Sequence, residues 1–161
     1  MIAVLADTHM PKGGRRLPER AVGLLRGAEA TLHAGDFFAA SVLREINAIC
    51  PGPIHAVHGN VDEAELRAAL PEVLEVEFDG ARIAMVHDAG PAKGRLGRMR
   101  ACFPDADAVV FGHSHLPLHE EEDGFQIFNP GSPTERRRAP RHSMGLLRIE
   151  AARPTFEHVW L

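Results

Sequence analysis

The sequence predicts an α/β sandwich with mixed β-sheets, and three observations carry that expectation. Short apolar runs alternate with helical patterns through the first half of the chain, whereas the second half reads as strands joined by tight turns at Asp79-Gly80 and Asp123-Gly124. Such hairpins do not belong in an all-parallel doubly wound sheet. The length, 161 residues, is that of one domain able to bury its own core, so residues 1–161 are expected to form a single domain.

Taken in order, Met1 to Ala6 form an apolar strand that stops at Asp7, and Thr8 and His9 precede the loop Met10-Pro11-Lys12-Gly13-Gly14. From Pro18 to Arg26, Ala21, Val22, Leu24 and Leu25 have the spacing of a helix that packs back on the sheet. Ala30 to Ala34 is a second strand, ending in Gly35-Asp36. Ala39 to Ile49 places Val42, Leu43, Ile46 and Ile49 on one helical stripe, which Pro51-Gly52-Pro53 terminates. Ile54 to Val57 is a third strand running into His58-Gly59-Asn60-Val61-Asp62, with a short helix expected near Glu63 to Leu70.

Val73 to Phe78 and Ala81 to Val86 form a hairpin whose second strand ends at His87. Residues 92 to 102 read as a basic helix or loop, with Lys93, Arg95, Arg98 and Arg100 around Leu96 and Met99. Ala108 to Phe111 is a buried strand closed by Gly112 and followed by His113-Ser114-His115. Strands are then expected at Leu116 to Glu121, Phe125 to Asn129, Met144 to Glu150 and Pro154 to Trp160.

Composition excludes several classes of function. With 18 Lys and Arg against 22 Asp and Glu, the formal charge is −4, so no overall basic field marks nucleic acid or anionic lipid as the main partner. The absence of tyrosine and the single tryptophan leave few stacking platforms for single strands, a second argument against a nuclease. Cys50 and Cys102 lie far apart, outside any metal or redox spacing, and are expected to be small core residues in a reducing compartment. The N-terminal apolar run is short for a signal peptide and has no basic flank. No run approaches the ~20 residues of a membrane span, so a cytoplasmic location is expected.

The central feature is a recurrence. Five apolar segments are each followed within three residues by metal-ligating chemistry: Asp7 and His9, then Asp36, Asn60, His87, and finally His113 and His115. Ligands in open α/β sheets gather beyond the carboxyl ends of strands, so neighbouring strands would bring these seven side chains to one crest. Seven donors are too many for one tetrahedral zinc and too nitrogen-rich for a calcium or magnesium cage. They suit a pair of first-row transition ions. Imidazole accommodates zinc, iron and nickel, and the oxygen donors admit manganese, the metal favoured here. Two ions about 3.5 to 4 Å apart need a bridging anion, and Asp36, in the middle of the set, is the expected bridge. His113 and His115, at i and i+2, could not both face one site from a regular strand, but a loop freed by Gly112 could aim them at neighbouring ions.

The order Asp7-x-His9, Gly35-Asp36, Gly59-Asn60, His87, Gly112-His113-x-His115 and Asn129-Pro130-Gly131-Ser132 resembles the calcineurin-like metallophosphoesterases, and within them the small YfcE-like phosphodiesterase branch. The resemblance spans residues 7 to 132. It implies a four-layer α-β-β-α sandwich of two mixed β-sheets. It further implies one metal on Asp7, His9, Asp36 and His115 and a second on Asp36, Asn60, His87 and His113. Two positions depart from the pattern. Where many members carry a histidine after the motif asparagine, taken to protonate the leaving group, this chain has Val61, which has no proton to give. Where the small branch commonly has glycine after the fourth-segment histidine, this chain has Asp88, read as a solvated residue or a partner for His87.

The expected activity is hydrolysis of a phosphodiester by direct attack of a metal-bridging hydroxide, with Asp36, Asn60 and His87 acting through the metals. No serine or cysteine motif for covalent catalysis is present. His58 is the candidate substitute acid, and His33 a core histidine or a supporting partner of the ligands. His55, His119, His142 and His158 are expected at the surface. Asn60 and Arg136 are candidate substrate-binding residues, and Arg136, Arg137, Arg138 and Arg141 form either a solvated run or a phosphate-steering patch, a choice that also applies to Arg95 and Arg98. Asn129 to Ser132 should be a tight turn whose backbone touches the site. The expected partner is a small phosphodiester or nucleotide, with specificity in loops and at any homo-oligomer edge. The competing reading is a non-catalytic scaffold of the same fold, like the retromer subunit that shares it.

Overall fold

Strand β1 (Ile2–Leu5) shows how the layers arise in a computed structural model of the chain, which describes residues 1–161. Its side chains alternate. Ala3 and Leu5 pack with Ala21 and Leu25 of α1 (Glu19–Arg26) and with Val42 and Ile46 of α2 (Ala40–Ile49). Ile2 and Val4 point the other way, into a core shared with a second sheet. In that second sheet β5 (Ala81–Val86) and β6 (Ala108–Val110) alternate likewise. Ile83, Met85, Ala108 and Val110 face the first sheet, while Ala84 and Val109 face Met99 of α4 (Arg95–Cys102). Three cores thus separate four layers, helix on sheet on sheet on helix, as the resemblance implies.

The first sheet has the order β10-β9-β1-β2-β3, with β2 at Ala30–His33, β3 at Ile54–Ala56, β9 at Ser143–Glu150 and β10 at Arg153–Trp160. The second has the order β4-β5-β6-β8-β7, with β4 at Val73–Phe78, β7 at Leu118–Glu122 and β8 at Phe125–Asn129. In each sheet three consecutive strands are parallel: β1, β2 and β3, ending at the β3 edge, in one, and the central β5, β6 and β8 in the other. Both sheets are mixed, because β9 and β10 add an antiparallel edge to one and β4 and β7 flank the other. Parallel strands deliver their carboxyl ends to the same rim. Hydrogen bonds from Gly112 N to His87 O (2.9 Å) and from Ala34 N to Leu5 O (2.9 Å) lock neighbouring exits together there. The remaining short helix, α3 (Ala64–Ala69), follows the β3 exit.

Several expectations are corrected. The β7 strand starts at Leu118, not Leu116, since Pro117 brings no N–H to a ladder. Within the Met10 to Gly14 loop, Lys12–Gly14 close a single 3₁₀ turn. Cys50 is buried as expected, but Cys102 ends α4 in solvent. His158 is not a surface residue: its ring stacks on Phe128 at 4.4 Å and donates from Nε2 to Asn129 O at 2.8 Å. His55 is half-buried against the edge of Phe78, and burial lowers its pKa. Gln126, between the sheets, is satisfied by donating to Pro154 O (2.9 Å) and pairing with His119 Nε2 (2.8 Å).

Phe128 anchors the inter-sheet core. It is fully buried, stacks on Phe156 at 4.6 Å, and occupies space that only a glycine at 145 leaves open, because a Cβ there would lie 2.4 Å from the ring. Truncation of this aromatic residue removes transfer energy and leaves a cavity between the sheets. The Phe128→Ala substitution is therefore expected to destabilise the protein by about 3 to 5 kcal/mol, read as a lowered midpoint in urea denaturation.

Candidate metal centre

All seven side chains marked by the sequence meet at the common rim of the two sheets. Asp36 Oδ2 lies 3.3 Å from His9 Nε2 and 3.3 Å from His87 Nε2, so one carboxylate oxygen is shared by imidazoles from different sheets. Asp7 Oδ1 lies 3.4 Å from His115 Nε2 and 3.8 Å from His9 Nε2. Asn60 Oδ1 lies 3.1 Å from His87 Nε2 and 3.0 Å from His113 Nδ1. The donor atoms of Asp7, His9 and His115, and again those of Asp7, Asp36 and His87, all fall within 4.8 Å of one another. These two groups have Asp7 in common, while Asp36 belongs to the second and touches the first through His9.

Local backbone geometry produces this convergence. Asp7, His9, Asp36, His113 and His115 all have positive φ, between 45° and 67°, a region that side-chain-bearing residues seldom occupy. His113 and His115 therefore reach the same centre because each sits in a left-handed turn, not because Gly112 loosens the loop. Glycine matters here through close approach. A Cβ on Gly59 would lie 2.0 Å from Asp36 Oδ1, and one on Gly112 would lie 2.9 Å from Ala6 Cβ.

A second ring of contacts fixes the donors. His87 Nδ1 donates to Ala34 O at 2.8 Å, His115 Nδ1 donates to Glu135 O, and His9 Nδ1 faces Glu135 Oε2 at 3.4 Å. Each of these rings thereby turns Nε2 inward. Asp36 Oδ1 accepts from Val61 N at 3.0 Å, leaving Oδ2 for the centre. Asp62, buried, accepts from Asp36 N (3.1 Å), Gly59 N (2.7 Å) and Phe38 N (2.7 Å), clamping two ligand loops with one carboxylate. Ser132 Oγ donates to Asp7 O at 2.7 Å and Asn129 Nδ2 donates to Gly112 O at 2.8 Å, so the Asn129 to Ser132 segment ties both sheets' loops together through side chains.

Asp62 and Glu135 were not legible as site residues. Asp62 had one signal, its place two residues after Asn60. Glu135 had none, since it reaches the site from a loop 20 residues beyond His115. His33 is fully buried, stacked on Phe37 at 3.5 Å and hydrogen-bonded to Thr8 Oγ1 at 3.3 Å, directly under the Asp7 and His9 turn. Burial lowers its pKa to about 3. Asp88 is exposed and accepts from Gly90 N at 2.7 Å, the solvated alternative. Arg136 spends Nη1 on Ala139 O at 3.0 Å, and Arg137 donates to His113 O at 3.2 Å. Arg95 and Arg98 turn back to carbonyls of residues 89 to 93.

Beside Asn60, His87 and His113 opens a cleft of about 540 Å³, also lined by His58, Arg67, Glu72, Val73, Val86 and Asp88. Neither Arg67 nor Glu72 was singled out by sequence.

The electrostatics ask for cations. Burial, the largest single influence on His9, opposes its charging, yet the carboxylates of Asp36 and Asp7 outweigh it and raise its pKa to about 9. His87 is raised in the same way, burial again opposing and Asp36 prevailing. Burial also works against ionised Asp36, but His87 and His9 hold its pKa well below the usual carboxylate range. For His115 burial wins and the pKa falls. Asp7 Oδ2, His9 Nε2 and His115 Nε2 are buried with no hydrogen-bond partner. Ionised carboxylates beside inward-facing, unpartnered nitrogens form a donor set that fits borderline divalent ions.

Comparison with known proteins agrees with this geometry. The profile of the calcineurin-like phosphoesterase superfamily domain matches residues 1–152. A probable metallophosphoesterase of Methanothermobacter thermautotrophicus is 30% identical over 136 residues, 83% of this chain and 77% of that protein. A protein named as a phosphodiesterase from Methanocaldococcus jannaschii is 26% identical over 145 residues, 81% of this chain and 82% of its own. Among solved structures, wild-type Vps29 complexed with Zn²⁺ from Entamoeba histolytica superposes with a TM-score of 0.79 at 21% identity, covering 99% of this chain and 98% of that one.

Two measurements follow from the centre itself. His9, protonated below about pH 9 without metal, must lose its proton to coordinate. Metal uptake at pH 7.5 should therefore release protons and strengthen as pH rises towards 9, visible in calorimetric titrations repeated in buffers of different ionisation enthalpy. Asp62→Asn, which weakens the clamp without touching a donor, is expected to lower metal affinity about 10- to 100-fold in chelator competition while circular dichroism stays unchanged.

Proposed function

Because the chain belongs to the calcineurin-like phosphoesterase superfamily, we propose that it is a metal-dependent phosphodiesterase acting on a small phosphodiester or nucleotide. The observation that carries this reading is the shared Asp36 oxygen, 3.3 Å from imidazoles on both sides, among buried donors without partners. Asp7, His9, Asp36 and His115 would hold one divalent ion, and Asp36, Asn60, His87 and His113 a second. Such a pair supplies Lewis acidity, activates water at neutral pH and offsets charge on the phosphoryl oxygens. Manganese is the favoured metal, with nickel, zinc and iron compatible with the same donors.

The chain's own groups then have defined tasks. Ala34 O and the Glu135 loop keep the imidazoles facing inward, and Val61 N holds the non-shared oxygen of Asp36. The cleft beside Asn60 and His113 gives an ester substituent a place to lie. Val61 offers no proton to the departing oxygen, and His58 is the one imidazole lining the cleft outside the donor set. Esters with good leaving groups are accordingly the better substrates, and His58 is the residue we assign to proton donation for poorer ones.

The Vps29 likeness supports a scaffold as the second reading. Assay of a chromogenic diester after chelation and re-addition of manganese, nickel or zinc separates the two. Turnover should return with metal, and Asp36→Asn should lower kcat/KM by at least about a hundredfold. Protein that holds two equivalents of metal yet turns over no diester would favour the scaffold.

A further inference from the structure

The centre has a second, differently charged border. Residues 12–16 and 133–141 carry seven cationic side chains against one carboxylate, Glu135, in a chain whose formal charge is −4. The two segments form one rim. Arg15 Nη2 donates to Glu135 Oε1 at 2.8 Å, Thr134 Oγ1 donates to Thr8 O, and Ser143 N donates to Ser132 O at 2.9 Å, closing the second segment at its base. Of the seven cations only Arg15 is ion-paired, and its partner is that single carboxylate. The rim lies against the ligands: Glu135 contacts His9 and His115, and Arg137 donates to the carbonyl of His113. Arg137 holds this position with a left-handed backbone, φ 46°, like the ligands beside it.

From this juxtaposition we infer that the basic rim, centred on Arg137, binds a second phosphoryl group of the substrate, so that the preferred diesters carry a phosphate in addition to the scissile one. The inference rests on the phosphodiesterase reading and narrows it. One guanidinium nitrogen of Arg137 is used on His113 O, which fixes the side chain at the centre and leaves the remainder of its donor fork for a phosphate. Lys12, Arg16, Arg136, Arg138 and Arg141 have no carboxylate to neutralise them, and unpaired charge on one rim concentrates anions there. The cleft that His113 also lines holds two carboxylates, Glu72 and Asp88, against the single cation Arg67. A substrate with one charged and one uncharged end is therefore oriented, its phosphate towards the rim and its uncharged, hydroxylated end towards the cleft.

The test compares two chromogenic diesters with the same leaving group, the p-nitrophenyl esters of thymidine 5′-phosphate and of thymidine 3′,5′-bisphosphate, on metal-loaded protein. The bisphosphate ester should show a KM about tenfold lower in 50 mM salt, with the advantage eroding as salt rises. Arg137→Met should abolish most of that advantage. The double variant Arg136→Gln with Arg138→Gln, which leaves the His113 contact in place, should reduce it. Arg100→Gln, which changes the net charge by as much as Arg137→Met but lies on α4, should not. Calorimetric binding of thymidine 3′,5′-bisphosphate should weaken in the same order. Equal KM values for the two esters, or an advantage that survives both rim variants, would overturn the inference while leaving the phosphodiesterase reading intact. Absence of metal-dependent hydrolysis of either ester would instead remove the reading on which it rests.

Discussion

Two buried carboxylates, Asp7 and Asp36, brought together at the meeting point of two sheets, are the constraint on which the rest of the structure depends. Like charges removed from water repel strongly and cannot be left alone. The chain answers with four imidazoles and an amide, and in the absence of metal the imidazoles of His9 and His87 are driven towards their charged forms. Those imidazolium charges occupy the electrostatic role that divalent ions would take. A divalent ion bound here would displace those protons.

That arrangement also explains where backbone strain is concentrated. Five candidate ligand residues adopt left-handed conformations, and they do so at the ends of parallel strands whose register is locked by the sheets beneath. Each strained turn is held by contacts from elsewhere: Asp62 for the Asp36 loop, Ser132 for the Asp7 loop, Asn129 for Gly112. A fold of two sheets is suited to this. It sets ligands from β1 and β2 against ligands from β5 and β6, and the rigid inter-sheet core around Phe128 keeps the two rims in fixed relation.

The surroundings of the centre are asymmetric. His113 stands between a cleft with carboxylates, whose walls include Val73 of β4, Val86 of β5 and Arg67 of α3, and a rim of mostly unpaired cations carried on loops.

The donors themselves were legible in the sequence, because an aspartate or histidine that ends an apolar run is a local pattern and strand ends in an α/β fold share an edge. The hairpins were legible for the same reason, through Asp-Gly turns that encode their own geometry. What sequence could not supply was anything carried by contacts between distant segments. Glu135 supports His9 and His115, Asp62 clamps Gly59 to Phe38, and His158 is drawn inward to stack on Phe128, none of which leaves a periodic or positional trace. The pairing of the two histidines after Gly112 likewise depends on left-handed turns imposed by the tertiary packing, not on glycine's freedom. Residue type and local spacing determined which side chains could bind metal. Only the packing of one sheet against the other decided how those side chains are aimed, since hydrogen bonds across more than 100 residues, such as His113 N to Asp7 Oδ1, exist only once both rims are in place.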